Sequence, residues 1–164
     1  MPADLASTDS PTIAELFSFE SGYANLKLDV RCAVFNDAGQ VLLVRETIDG
    51  MWSLPGGWAD VGVSPAENAA KEVRKESGYT VDIVRLLAVW DLNKHRHLPS
   101  VFHIWKLVFL GTIVSAGEVI GVETSDVAFF DLDAALPALS RGRILPGQIR
   151  RLDALRRSIE IEFD

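Results

Sequence analysis

Apolar and polar positions along the chain change period several times, and each change marks an element. Lys27 to Phe35 alternates apolar and polar residues and is β-branched enough for a strand. Asn36-Asp37-Ala38-Gly39 reads as a turn and Gln40 to Arg45 as a second strand, so the two predict a hairpin. Asp49-Gly50 marks another turn, and Trp52-Ser53-Leu54 is short and extended. Further on, Val81 to Trp90 predicts a strand, Asp91 to Ser100 a polar loop, and Val101 to Val114 a long apolar strand. Ser115 to Glu123 reads as a loop, Asp126 to Phe130 as a strand, and Leu132 to Leu139 as a short helix or turn.

Two segments switch to helical period. Ser64-Pro65-Ala66-Glu67 is a helix start, with Ser64 as N-cap, Pro65 in the first turn and Glu67 completing a capping box. The helix is expected to run to about Ser77 and to stop at Gly78. Ala66, Ala69, Ala70 and Val73 give it a narrow face for close packing on a sheet. Gln148 to Glu160 predicts an amphipathic helix with Ile149, Leu152, Leu155 and Ile159 on its apolar side. This β-rich order with two main helices predicts an α/β (α+β) class: a layered sandwich around a mixed sheet. Residues 1–10, small and polar, are expected to be disordered, Pro11 to Phe19 to form a short helix or arm, and residues 11–164 to form a single domain.

Composition narrows the partners. The chain of 164 residues is 48% hydrophobic and 24% charged, the balance of a globular protein with one core. Its net charge of −7 opposes nucleic acid and anionic membrane surfaces, so neither is expected as a partner. A polyphosphate ligand would therefore need local basic groups or a bound cation. The single cysteine, Cys32, lies in an apolar run and reads as a buried structural thiol. No signal-peptide pattern or membrane-length apolar run is present, and a cytoplasmic setting is expected. His95, His97 and His103 do not have zinc-ligand spacing with any cysteine.

The candidate chemistry lies in the first helix. Glu72 and Glu76, four apart, stand about 40° from each other around the axis, on one side. Like charges so placed cost a bare helix roughly 0.2–0.5 kcal/mol, so the pair points to a cation, although a solvated helix face is the alternative. Carboxylate oxygens suit Mg2+ or Mn2+. Gly56-Gly57, just upstream, lets backbone groups approach the same ion or a phosphate.

The longer pattern resembles the signature of the Nudix hydrolases, G-x5-E-x7-R-E-U-x-E-E-x-G-U with U a bulky apolar residue. Aligned without gaps from Gly57, the chain places Val63, Lys71, Glu72, Val73, Lys75, Glu76, Gly78 and Tyr79 at the specified positions, and Leu54-Pro55-Gly56-Gly57 before it is also typical. The resemblance extends from about Lys27 to Phe130. It implies a Nudix-type α/β/α sandwich with a mixed β-sheet. It also implies metal held by Glu72, Glu76 and the Gly56 carbonyl, and a homodimer. Segments such as LDVRCAVFN, WSLPGGWADVG and LLAVWDLNKH are similar to a subgroup that includes ADP-ribose and CDP-choline pyrophosphatases.

Three positions depart from the signature. Val63 and Lys71 replace a glutamate and an arginine that form a structural ion pair in the family. Lys71 is then expected to turn to solvent or to Glu67. Lys75 replaces a carboxylate that often helps hold metal, so fewer or weaker metal sites are expected; it is expected to point to solvent, against the alternative that its ammonium stands in for one cation's charge.

In this family substrate specificity lies outside the signature. Arg31 and Arg45 are candidates to meet phosphate, against the alternative of ordinary ion pairs. Trp52, Trp58 and Trp90 are candidates to stack on a base or sugar, with core or edge packing favoured for any single one, and Asp91 and His95 stand on the loop expected to line the pocket mouth. Glu123, in VETSD, is a candidate catalytic base or additional metal ligand, against ordinary loop acidity. The function expected is Mg2+- or Mn2+-dependent hydrolysis of the pyrophosphate in a nucleoside diphosphate linked to a group X, such as ADP-ribose or CDP-choline. The alternative is a catalytically weakened or inactive nucleotide-binding module on the same fold.

Overall fold

A computed structural model describes residues 25–117 and 122–164. The expectations for residues 1–10 and for Pro11 to Phe19, and part of the loop expected before Glu123, lie outside them. The described elements are β1 (Lys27–Val34), β2 (Val41–Glu46), β3 (Trp52–Ser53), β4 (Gly56–Trp58), α1 (Pro65–Ser77) and β5 (Thr80–Asp91). A 3-10 turn (Leu92–Lys94), β6 (Ile104–Ser115), β7 (Thr124–Phe130), α2 (Pro146–Arg156) and β8 (Glu162–Phe163) follow. Five strands form a mixed sheet in the order β4-β1-β6-β5-β8, and three form a second sheet, β3-β2-β7.

Strand alternation divides the core into two layers. On β1, Val30, Cys32 and Val34 join Ala69 and Val73 of α1 in one buried cluster, while Ala33 joins Ile149, Leu152 and Leu155 of α2 in another. On β2, Leu42 belongs to the first cluster and Val41 and Leu43 to the second. Helices thus cover both faces of the sheet layer, the α/β/α sandwich expected. Cys32 is fully buried, and burial pushes its thiol up to about 12, the inert state of a structural cysteine.

The expected hairpin is corrected. The turn is present, with Asn36 N–H donating to Gln40 O at 3.0 Å, but pairing ends after the single bridge Phe35–Val41. β1 instead runs parallel to β6 from Lys27 to Val34 and antiparallel to β4, while β2 pairs with β3 and β7. Both strands are buried on both faces, so each completes its ladder in its own sheet and the turn becomes a corner between sheets.

Three further elements differ from expectation. β6 begins at Ile104, leaving Val101 exposed. Residues 132–139 form no helix. Their end runs beside β3, with Trp52 N–H donating to Ala138 O at 2.9 Å and Ser140 N–H to Trp52 O at 2.8 Å. α2 ends at Arg156, and Ile159 is 97% exposed rather than on the apolar face. The Arg85 guanidinium takes the carbonyls of Leu155, Ser158 and Glu160 at 2.7, 2.5 and 3.0 Å, satisfying the helix end and the chain that turns into β8.

Candidate active site

The start of α1 is fixed as its sequence dictates. Ser64 Oγ accepts from Glu67 N, and the Glu67 carboxylate accepts from Ser64 N, a cap contributing about 1 kcal/mol. Gly78 closes the helix in the left-handed region at φ 77°. Asn68, fully buried, ties the preceding loop down: it accepts from Asp60 N and donates to Trp58 O, both at 3.3 Å. Lys71 ion-pairs with Asp60, neither pointing free into solvent nor reaching Glu67. A loop-to-helix ion pair is therefore present, with its carboxylate at position 60 instead of 63.

Glu72 and Glu76 project from the inner side of α1 and are 6% and 3% exposed. Gly56 makes their approach to β4 possible. A Cβ at Gly56 would lie 2.1 Å from Val30 O, so no side chain fits, and its φ of 148° is one that L residues rarely adopt. Its N–H donates to Glu76 Oε2 at 2.9 Å. Glu123 arrives from the other side, just before β7. Its carbonyl accepts from Thr47 N at 2.8 Å, and the neighbouring Thr124 hydroxyl donates to the Glu76 carbonyl at 2.9 Å. These two bonds bring Glu123 to the helix from 47 residues away in sequence. One oxygen from each of Glu72, Glu76 and Glu123 lies within 4.8 Å of the others.

Burial pushes the Glu76 carboxyl up to about 7, against the opposing pull of the Gly56 amide and the Arg31 guanidinium. Three hard oxygen donors this close, one of them short of compensating charge, suit a small divalent cation. The residues present therefore fit a metal of the Mg2+ or Mn2+ kind. Lys75 does not point to solvent. Its ammonium lies 2.7 Å from Glu123 Oε2 and 3.5 Å from Glu72 Oε2, and the bond to Glu123 raises its pKa.

These groups border a cleft of about 850 Å³. Its floor is a second charged group that sequence reasoning did not single out, apart from Arg31. Arg31 Nε donates to Asp29 Oδ1 at 2.9 Å, and Nη1 donates to Leu54 O at 2.9 Å and Ser53 Oγ at 3.2 Å. Lys106, fully buried, sits 3.2 Å from Asp29 Oδ2, in ion-pair contact but off hydrogen-bond geometry. Glu46 lies 3.9 Å from Arg31 and 3.3 Å from Arg143, which also reaches Asp49 at 3.2 Å. Burial pulls the Lys106 ammonium down to about 8 despite Asp29. The Asp29 carboxyl is pushed up by burial, but Arg31 and Lys106 together hold it below its ordinary range.

Of the candidate substrate residues, Arg31 and Trp58 line the cleft, and Trp58 is half exposed. Lys27 stands over the Trp58 ring, 5.1 Å from its centroid. Leu98, Pro99 and Ser100 form part of the lining from the loop before β6. Arg45, Asp91 and His95 do not line it. Arg45 Nε donates to Gly50 O at 2.8 Å, Asp91 caps the 3-10 turn and accepts from His103, and His95 pairs with Asp164 at 3.1 Å. A sequence signal for the floor did exist: Asp29 and Arg31 are opposite charges two apart in the otherwise apolar run LDVRCAV, and Lys106 is a lone charge in IWKLVFL.

The NUDIX domain model matches residues 25–158. A Bacillus subtilis (strain 168) protein named "Putative ADP-ribose pyrophosphatase YjhB" is 45% identical over 152 residues, covering 93% of this chain and 72% of that protein. The crystal structure of an ADP-ribose pyrophosphatase from Streptococcus suis 89-1591 superposes with a TM-score of 0.75 at 37% identity, covering 85% of this chain and 100% of that one. The crystal structure of a UDP-X diphosphatase gives a TM-score of 0.80 at 34% identity, covering 96% of this chain and 76% of that one.

Proposed function

This chain belongs to the NUDIX family, and on that premise we propose that it is a pyrophosphohydrolase that cleaves nucleoside diphosphates linked to a group X, with ADP-ribose as the leading substrate and Mg2+ or Mn2+ as its cofactor. The observation that carries this reading is the convergence of Glu72, Glu76 and Glu123 within 4.8 Å on one side of an 850 Å³ cleft. The names of the Bacillus and Streptococcus relatives support ADP-ribose, and the UDP-X diphosphatase supports a diphosphate bridging a nucleoside and a second group.

Glu72, Glu76 and the Gly56 carbonyl would hold the cation, with Glu123 as a further ligand or as the base. When bound, a divalent ion supplies charge neutralisation on the diphosphate and acidifies attacking water. The chain supplies the rest. Glu123 has a half-exposed carboxylate, so it can accept a proton from water entering the cleft. Arg31 and Arg143 line the same cleft and would bring positive charge to diphosphate oxygens held there. Trp58 offers an aromatic face to a base or ribose, with Pro99 and Leu98 as apolar lining.

Incubation with ADP-ribose, a UDP-sugar and CDP-choline, each with Mg2+ or Mn2+, followed by separation of the nucleotide products, tests the reading. Release of nucleoside monophosphate, slowed by about a hundredfold or more in Glu76→Gln, is expected. No turnover of any of the three by folded wild-type protein would overturn it.

A further inference from the structure

The family signature has a carboxylate where this chain has Lys75, and the Lys75 side chain is turned inward. Its ammonium contacts two members of the carboxylate cluster, at 2.7 Å from Glu123 and 3.5 Å from Glu72, while its stem stays about one-third exposed. Glu72 is almost fully buried, so this contact is no ordinary ion pair on an open helix face. With all groups ionised, three carboxylates and one ammonium leave two negative charges. A single divalent cation balances that charge, whereas a carboxylate at position 75 would leave room for two.

We propose that the Lys75 ammonium is a tethered cation that takes the place of one divalent ion in the Glu72–Glu76–Glu123 cluster, so that this chain binds a single Mg2+ or Mn2+ there. The inference rests on the metal-dependent reading of the site and concerns its stoichiometry. Lys75 is a positioning residue: it holds the Glu123 carboxylate toward α1 and supplies fixed charge, without touching the reacting atoms. One carboxylate oxygen of Glu123 is engaged by the ammonium, and the other is left for water or for the single ion. A permanent charge on a side chain needs no free-ion concentration, so this half of the cluster stays neutralised when divalent ions are scarce.

The experiment counts metal in the absence of substrate. Purified wild-type protein, Lys75→Glu and Lys75→Ala are titrated with Mn2+, and bound ion is followed by electron paramagnetic resonance and calorimetry. Arg150→Ala, an exposed cation on α2, controls for net charge. One Mn2+ per chain is expected for wild type and for Arg150→Ala, and two for Lys75→Glu. Lys75→Ala is expected to tighten Mn2+ binding by at least about tenfold, because a cation beside the ion is gone. Thermal melts establish that each variant is folded; position 75 is about one-third exposed and position 150 exposed, so both should tolerate these substitutions.

Equal stoichiometry and affinity in wild type and both Lys75 variants would overturn the proposal and leave the enzymatic reading intact. Two tight ions in wild type would overturn it as well. Failure of every variant to bind Mn2+ would overturn it too, and absence of turnover on the substrate panel in the same preparations would then remove the metal-dependent reading beneath it.

Discussion

Two groups of charged residues, one lining the cleft and reaching beneath it and one along its wall, solve burial in opposite ways. On the floor, Asp29, Glu46 and Asp49 meet Arg31, Lys106 and Arg143, so each buried charge has an opposite partner supplied by the protein. On the wall, Glu72 and Glu123 pair with Lys75, Glu76 makes no ion pair among the described residues, and burial pushes Glu76 up to about 7. A buried ion pair is poor evidence for function, because a fold can use it to orient strands. A buried carboxylate left under-compensated is better evidence, because its cost is relieved only by a proton or by a cation, and perturbed groups of this kind cluster at functional sites. The floor therefore reads as scaffold, and the wall is the part of the cleft that carries the proposed metal site.

Removing a floor partner should have the largest effect on the folded state. Asp29→Ala would strand Lys106, fully buried, beside Arg31, and is expected to lower stability by about 3–5 kcal/mol in chemical denaturation. A loss under about 1 kcal/mol would mean that the floor is not held by its pairing. On the wall the effect should appear in rate instead. Glu76→Gln keeps the side-chain shape and should lower kcat by about a hundredfold to a thousandfold, with little loss of melting temperature. Equal kcat in the two proteins would place the chemistry elsewhere.

The pH dependence of stability sharpens the contrast further. The folded value of Glu76, about 7, stands above the ordinary 4.5, so the folded protein takes up a proton that the unfolded chain releases. Free of divalent ions, it should gain stability from this group as pH falls through 7 toward 4.5. His97 acts in the opposite sense. Burial pulls it from 6.5 down to about 4, so its contribution is lost as pH falls through that range. Glu76→Gln removes the first effect and leaves the second. The stability of wild type relative to the variant should therefore rise on the order of 2 kcal/mol between about pH 7.5 and 5.5, and a flat difference in calorimetry would contradict the under-compensated wall. The smallest effect is expected at the exposed Lys71–Asp60 pair, where Lys71→Ala should cost no more than about 1 kcal/mol. A larger loss would make that pair a true replacement for the one the signature places at positions 63 and 71.

Much of the wall was legible because it is local. Ser64, Pro65, Glu67 and Gly78 are helix signals that act within one turn, and helical spacing alone puts Glu72 and Glu76 on one side. Gly56 was legible too, since only glycine fits where a Cβ would strike the backbone of a neighbouring strand. Arg45, Asp91 and His95 were polar residues beside the right elements, but proximity along the chain did not carry them into the cleft. The hairpin was misread for a related reason. A turn with two apolar strands looks the same whether the strands pair with each other or with more distant partners.

The sequence by itself therefore determined the family, the caps of α1 and the two glutamates on its inner side, because period and spacing are short-range properties of a helix. Only the tertiary structure decided that Glu123 completes the cluster, that Lys75 turns inward to meet it, and that Asp29, Arg31 and Lys106 neutralise one another beneath it. Those contacts join residues tens of positions apart, and which charges meet depends on how β1, β6 and α1 stack, which no local pattern encodes.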